Sequence, residues 1–213
     1  VTVAAPQKAA WAVNSLLPDI ITRKIKCRNF SRKNIAAVKK LSEEHDAVLI
    51  GPGMGRKNET LAFARDLARM VQKPKVIDAD ALKAVRIKEL KNAVLTPHKK
   101  ELEILLKNSG LSDISLRENL GSNVMIQKGH IDRIISKDHT RLNRTGNAVM
   151  TKAGTGDVLA GLCAGFIAQT GDLFRSACMA AYLNGKTGDY LKKRFGRTFI
   201  ASDIIKSIHR FYR

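Results

Sequence analysis

Gly154-Thr155-Gly156-Asp157 is the stretch whose residue types best suit chemistry. Behind it run Val158, Leu159, Ala160, Leu162, Ala164, Phe166 and Ile167, an apolar series that reads as a buried helix over 156–169. A glycine loop feeding a helix brings unpaired backbone N–H groups and about half a positive charge to one point, which stabilises a phosphate or a developing oxyanion. Glycine also lets the backbone approach an anion that a side chain would hold off. Asp157 then has two readings. It is a helix cap, or it is a general base taking a proton from a hydroxyl that attacks phosphorus.

Residues of the same kind recur at the ends of apolar segments. Asp46-Ala-Val-Leu-Ile50 reads as a strand covered on both faces and runs into Gly51-Pro-Gly-Met-Gly-Arg56. Gly51, Gly53 and Gly55 suit either a close ligand approach or a tight turn and nothing more. Lys75-Val-Ile-Asp-Ala-Asp-Ala-Leu82 is a short strand whose end carries Asp78 and Asp80. Two such carboxylates can hold a hydrated divalent cation or orient polar ligand groups, and Asp80 equally suits a helix cap. Ala93-Val-Leu-Thr96 leads to Pro97 and His98, a ligand candidate at the start of a helix containing Glu101. Lys128 ends the strand 123–128 before flexible Gly129, where it meets a phosphate as a point charge or is an ordinary exposed lysine.

These residues need a scaffold that gathers them. Residues 1–6 read as a strand, followed by a helix through Leu17 and a weaker strand over 20–27. Ser31 suits the cap of a helix over 33–44, and Asn58 the cap of a helix over 58–72. A strand over 131–136 pairs as a hairpin through Gly129-His130, and a short strand follows at 141–143. Helices over 172–190 and 201–211 close the chain. This alternation predicts an α/β fold, a three-layer α/β/α arrangement with a mainly parallel central sheet and a binding crevice at the C-terminal edge of its strands. Gly51 to Gly55, Asp78, Asp80, His98, Lys128 and Asp157 converge there, which favours the base over the cap.

Composition narrows the function classes. The 213 residues fit one domain with a substantial core. No apolar run reaches the roughly 20 residues of a membrane span and no secretory signal is visible, so no membrane partner is expected. Cys27, Cys163 and Cys178 are odd in number and lack metal-ligand spacing, which points to reduced thiols and a cytoplasmic location. Lys and Arg total 38 against 19 Asp and Glu, a net charge of +19. The basic residues are scattered and aromatics make up only 5%, so interleaved stacking platforms for nucleic acid are lacking. A solvated basic surface that helps capture anionic nucleotides fits better than a nucleic-acid site.

The ordered set Val1-Thr-Val-Ala-Ala-Pro6, Gly51-Pro-Gly-Met-Gly-Arg56, Ile77-Asp-Ala-Asp-Ala-Leu82, Leu95-Thr-Pro-His98 with Glu101, Gln127-Lys-Gly129, and Gly146-Asn147 running into Gly154-Thr-Gly-Asp-Val-Leu-Ala-Gly161 resembles the NAD(P)H-hydrate dehydratase family. The resemblance covers almost the whole chain. It implies a ribokinase-like fold, one domain over 1–213, and a glycine-rich strand and loop that should precede Val1, so that the chain reads as truncated at its N-terminus. Lys99-Lys100, Val149 and Lys152-Ala153 depart from the family's usual residues.

The resemblance further implies an ADP- or ATP-dependent hydro-lyase that returns the hydrates NADHX and NADPHX to NADH and NADPH, releasing AMP and phosphate when ADP is used. Carried onto this sequence, Asp157 is the base at the substrate hydroxyl, while Gly53 or Gly55 and His98 contact the hydrated dinucleotide. Lys128, Gly129, His130, Ile131, Asp132, Gly154, Thr155 and Gly156 line the adenine nucleotide. Asp78, Asp80, Glu101 and Asn147 are further polar or metal-linked candidates, with magnesium bridging the phosphates. A homo-oligomer, a tetramer, is implied as well. The rival readings are a ribokinase-like kinase for a small alcohol or vitamin precursor and, more weakly, a basic nucleic-acid-binding protein.

Overall fold

The computed structural model describes residues 1–212. Six strands form one sheet in the order β3 (Val48–Ile50), β4 (Lys75–Ile77), β5 (Ala93–Leu95), β6 (Val124–Gln127), β7 (Asp132–Ile135) and β8 (Thr140–Asn143). β3 to β6 pair in parallel, and β6, β7 and β8 pair antiparallel. β1 (Thr2–Pro6) and β2 (Ile21–Ile25) form a separate parallel pair, joined through α1 (Gln7–Leu16). The mainly parallel sheet expected from the alternating pattern is therefore present.

Strand alternation divides the core between the two faces. On β5, Ala93 and Leu95 face the cluster built with Phe63, Leu67 and Leu82, whereas Val94 faces the cluster of Leu159, Phe166 and Ala177. β6 repeats the division, with Met125 on the first side and Val124 and Ile126 on the second. The first face is covered by α2 (Ile35–Glu43), α3 (Asn58–Met70) and α4 (Lys99–Ser109), and the short α5 (Asp113–Leu116) follows α4. The second is covered by α6 (Thr155–Thr170) and α7 (Leu173–Phe195), with α8 (Ala201–Ser207) packed on both.

Local starts and stops differ from expectation at several points. α3 begins with Asn58 as its first residue and Lys57 at the cap position, so Asn58 is not the cap. Ser31 stands at the start of a short 3-10 turn, Arg32–Asn34, where its N–H donates to Asn34 Oδ1 at 3.0 Å, and α2 follows directly. β3 is an edge strand and Leu49 is 37% exposed, so full coverage of that strand does not hold. α7 extends five residues beyond the expected end, to Phe195, before Gly196, with a positive φ of +62°, stops it.

Candidate active site

β4, β5 and β6 end side by side, and each delivers a polar group to the same edge. Asp78 follows β4 and is 2% exposed. Thr96, just past β5, donates its hydroxyl to Asp78 Oδ1 at 2.6 Å. Lys128, just past β6, donates from Nζ to the same oxygen at 3.1 Å, and Glu101 Oε2 lies 4.0 Å from Nζ on the other side. The Lys128 N–H donates to the Pro97 carbonyl at 2.9 Å, extending the β5–β6 pairing one step to a bridge between His98 and Lys128. An ammonium held between two buried carboxylates interacts more strongly than the same groups in water. Gly51 backs this edge, since a Cβ there would stand 1.8 Å from the Asp78 carbonyl oxygen.

His98 is the cap of α4. Its Nδ1 accepts the Glu101 N–H at 3.3 Å, and Glu101 Oε2 accepts the His98 N–H at 3.0 Å, a reciprocal capping box. That bond assigns the proton of the neutral ring to Nε2, which lies 3.5 Å from Glu101 Oε2. The imidazole remains exposed.

The glycine loop ends at Gly154, the cap of α6, whose φ of +90° places it in the left-handed region. The first helical bond runs from Val158 N–H to Gly154 O at 3.0 Å, so the N–H groups of Gly156 and Asp157 have no intrahelical partner. Thr155 is buried, with its hydroxyl 2.6 Å from the Met150 carbonyl and 2.9 Å from that of Lys152. That hydroxyl holds the loop and is not free for a ligand. Lys128 Nζ lies 3.5 Å from the point where a Gly156 Cβ would stand. Asp157 is exposed in the first turn and makes no capping bond, so the cap reading fails.

A cavity of about 660 Å³ opens between this helix end and the sheet edge, lined by His98, Lys128, Asp132, Asn147, Gly156 and Asn184 among others. Its outer wall is the segment 145–152. Asp189 on α7 accepts the Gly146 N–H at 3.0 Å and the Asn147 side-chain amide at 2.9 Å. Lys152 Nζ reaches the carbonyls of Arg197 at 2.5 Å and Phe199 at 2.9 Å, tying the loop to the start of α8. Asp132 accepts the Gly129 N–H and the Asn143 amide, each at 3.0 Å, and burial pushes its carboxyl pKa up.

The fold thus gathers His98, Lys128, Gly129, His130, Asp132, Asn147, Thr155 and Gly156 around one cavity. Gly53, Gly55, Ile131, Gly154 and Asp157 do not line it. Gly53 and Gly55 carry φ values of +69° and +83° in an open loop beyond β3. The two aspartates of the β4 end do not act as a pair, because Asp80 turns to Lys83 at 2.6 Å while Asp78 holds Thr96 and Lys128. The cap position of the 3-10 turn Ala79–Lys83 belongs to Asp78, not Asp80. Thr96, Thr145, Asn184 and Asp189 were not legible as site residues. The available signal was the pair of glycines, Gly185 and Gly188, inside a long helix, where glycine disfavours helix and needs a packing reason.

The sheet and its flanking helices form a ribokinase-like fold, shared with solved ribokinase-like structures. A crystal structure of the ADP/ATP-dependent NAD(P)H-hydrate dehydratase of Bacillus subtilis, co-crystallised with ATP and Mg2+, superposes with a TM-score of 0.77 at 21% identity, over 99% of this chain and 77% of that one. The sequence profile of the NAD(P)H-hydrate dehydratases matches residues 1–210, and the chain belongs to that family. A bifunctional NAD(P)H-hydrate repair enzyme of Methanothermobacter thermautotrophicus is 38% identical over 98% of this chain, which spans 43% of that relative. An ADP-dependent (S)-NAD(P)H-hydrate dehydratase of Haloterrigena turkmenica is 30% identical over 90% of this chain and 73% of its own length. The chain therefore spans less than half of the bifunctional relative. No helix among the described residues is long and apolar enough to cross a membrane.

Proposed function

We propose that this chain restores NADH and NADPH from their hydrates, NADHX and NADPHX, using ADP or ATP as the phosphate donor. The observation that carries the reading is the meeting of the Lys128 ammonium with the unpaired N–H groups of α6 at one cavity wall, beside Asp157. A hydroxide ion is a poor leaving group and phosphate a good one, so phosphorylation makes the dehydration feasible.

In this reading the nucleotide lies along Lys128 to Asp132 and the loop 145–156. Its terminal phosphoryl group meets the N–H groups of Gly156 and Asp157, which stabilise the charge that develops during transfer. His98 and the loop from Gly51 to Gly55 contact the hydrated dinucleotide. Asp157, exposed and unbonded, takes the proton of the ring hydroxyl as that oxygen attacks phosphorus, and the bond to the departing AMP or ADP breaks. The ring then expels phosphate as its C–O bond breaks and the neighbouring carbon loses a proton, which regenerates the reduced nicotinamide. Among the described residues no three His, Cys, Asp or Glu side chains form a metal cage. Magnesium would therefore be held by the nucleotide phosphates, with protein carboxylates reached through water, and would neutralise phosphate charge.

The test is to mix the protein with NADHX, magnesium and either ADP or ATP, following NADH absorbance and free phosphate. A nucleotide-dependent rise with equimolar phosphate is expected, and the better donor identifies itself by the faster trace. A stable phosphorylated alcohol without NADH would overturn the dehydratase reading in favour of a small-molecule kinase.

A further inference from the structure

We infer that Asp78, supported by Thr96 and Glu101, is a positioning residue that holds the Lys128 ammonium against the first turn of α6, so that both positive groups meet the transferring phosphoryl group already in place. The inference rests on the nucleotide reading above. Lys128 lines the cavity, whereas Asp78, Thr96 and Glu101 do not. The two carboxylate side chains are 3% and 7% exposed, against 21% for Lys128. Contact with a ligand is therefore made by the ammonium, and the carboxylates act from beneath it.

Left to itself, that ammonium would not stay where it is. Its Nζ stands 3.5 Å from the point where a Gly156 Cβ would be, in the first turn of α6. A helix N-terminus carries about half a positive charge and repels a lysine, whose flexible four-carbon stem lets the head turn toward water. The buried carboxylates oppose this. Asp78 Oδ1 accepts from Lys128 Nζ at 3.1 Å and from the Thr96 hydroxyl at 2.6 Å, and Glu101 Oε2 lies 4.0 Å from Nζ. The holders are themselves built into the fold. The Asp78 N–H donates to the Ile50 carbonyl at 3.1 Å, the Thr96 N–H donates to the Ile77 carbonyl at 3.2 Å, and Glu101 is fixed by its capping box with His98. Charges fixed in advance where negative charge develops need no reorganisation during the reaction.

This device has a signature that a merely damaged fold lacks. Asp78→Asn keeps the side chain's size and removes a negative charge beside a site for a polyanion. ADP is therefore expected to bind at least as tightly as to the wild type, while kcat falls about 10- to 100-fold because the ammonium leaves the helix end. In a Lys128→Met background the same change should lower kcat no further, since the group it positions is gone. Thr96→Val removes the hydroxyl that fixes Asp78 and should give a smaller loss of the same kind, whereas Thr96→Ser keeps the hydroxyl and should retain the wild-type rate. Glu101→Gln preserves the capping box and should also cost less than Asp78→Asn, given its longer distance.

The test is steady-state kinetics with NADHX, magnesium and ADP, together with calorimetric titration of ADP, at a temperature where each variant is folded. Wild type, Asp78→Asn, Lys128→Met and the double variant are compared. A fall in kcat with ADP affinity kept in Asp78→Asn, and no further fall in the double variant, is expected. An equal loss from Asp78→Asn in both backgrounds, or a parallel loss of kcat and ADP affinity, would overturn the positioning role and leave the nucleotide reading intact. Should Asp78→Asn not fold, the threonine variants carry the test, and Thr96→Val with the wild-type kcat, or Thr96→Ser as slow as the valine variant, would overturn the role equally. A wild type that binds no ADP and shows no ADP-dependent turnover would overturn the nucleotide reading itself, and this inference with it.

Discussion

Asp157 and Asp78 stand a few residues from the same cavity yet differ in every physical respect. Asp157 is exposed and makes no capping bond, whereas Asp78 is buried with two partners. An unencumbered carboxylate at a helix end can accept a proton without first breaking a bond. Asp157→Asn is therefore expected to lower turnover by about 100-fold or more with nucleotide affinity retained, measured by steady-state kinetics and titration. Asp78→Asn instead leaves the Lys128 ammonium with Glu101 alone at 4.0 Å. It should cost about 1–3 kcal/mol of stability, read from denaturant unfolding. Lys75 gives a third test, since it is 1% exposed, donates only to the Lys91 carbonyl at 2.6 Å, and burial lowers its pKa from 10.5 to about 8. Between those pH values the unfolded chain binds the extra proton, so stability rises with pH across that window. Lys75→Met should remove the rise and stabilise the protein at neutral pH by about 2 kcal/mol, after allowing for the lost hydrogen bond.

At the scale of elements, the cavity wall depends on how closely the segment 145–152 lies on α7. A Cβ on Gly185 would stand 2.6 Å from the Thr145 backbone, whereas one on Gly188 would meet the flexible side chain of Met150. Backbone cannot yield as a side chain can. Gly185→Ala is accordingly expected to displace the wall, destabilise the fold by about 1–3 kcal/mol and weaken nucleotide binding. Gly188→Ala should do less of both, because Met150 can change rotamer. Thermal unfolding and titration of the two variants side by side check the contrast, and equal effects would refute it.

For the molecule as a whole, a net charge of +19 surrounds a cavity proposed to bind a polyanion. Such a field speeds the arrival of anionic ligands and is screened as the Debye length falls from ~30 Å at 0.01 M salt to ~8 Å at 0.15 M. The association rate of ADP is expected to fall about tenfold over that range, with the dissociation rate changing less. Stopped-flow measurement decides this, and a salt-independent association rate would confine the charge to solubility.

The alternation of apolar runs with glycine and carboxylate punctuation was enough to predict the layered sheet, because a strand covered on both faces and an amphipathic helix each leave a local periodic trace. The same locality made the glycine loop at the start of α6 legible, since a loop that feeds a helix end is contiguous in the chain. What only the tertiary structure decided is which side chains are free. Asp78 and Asp80 look alike in sequence, yet one is locked to Thr96 and Lys128 and the other to Lys83. Thr155 belongs to the glycine motif, yet its hydroxyl is spent on Met150 and Lys152. Hydrogen bonds between residues distant in sequence assign these roles, and no local pattern records them.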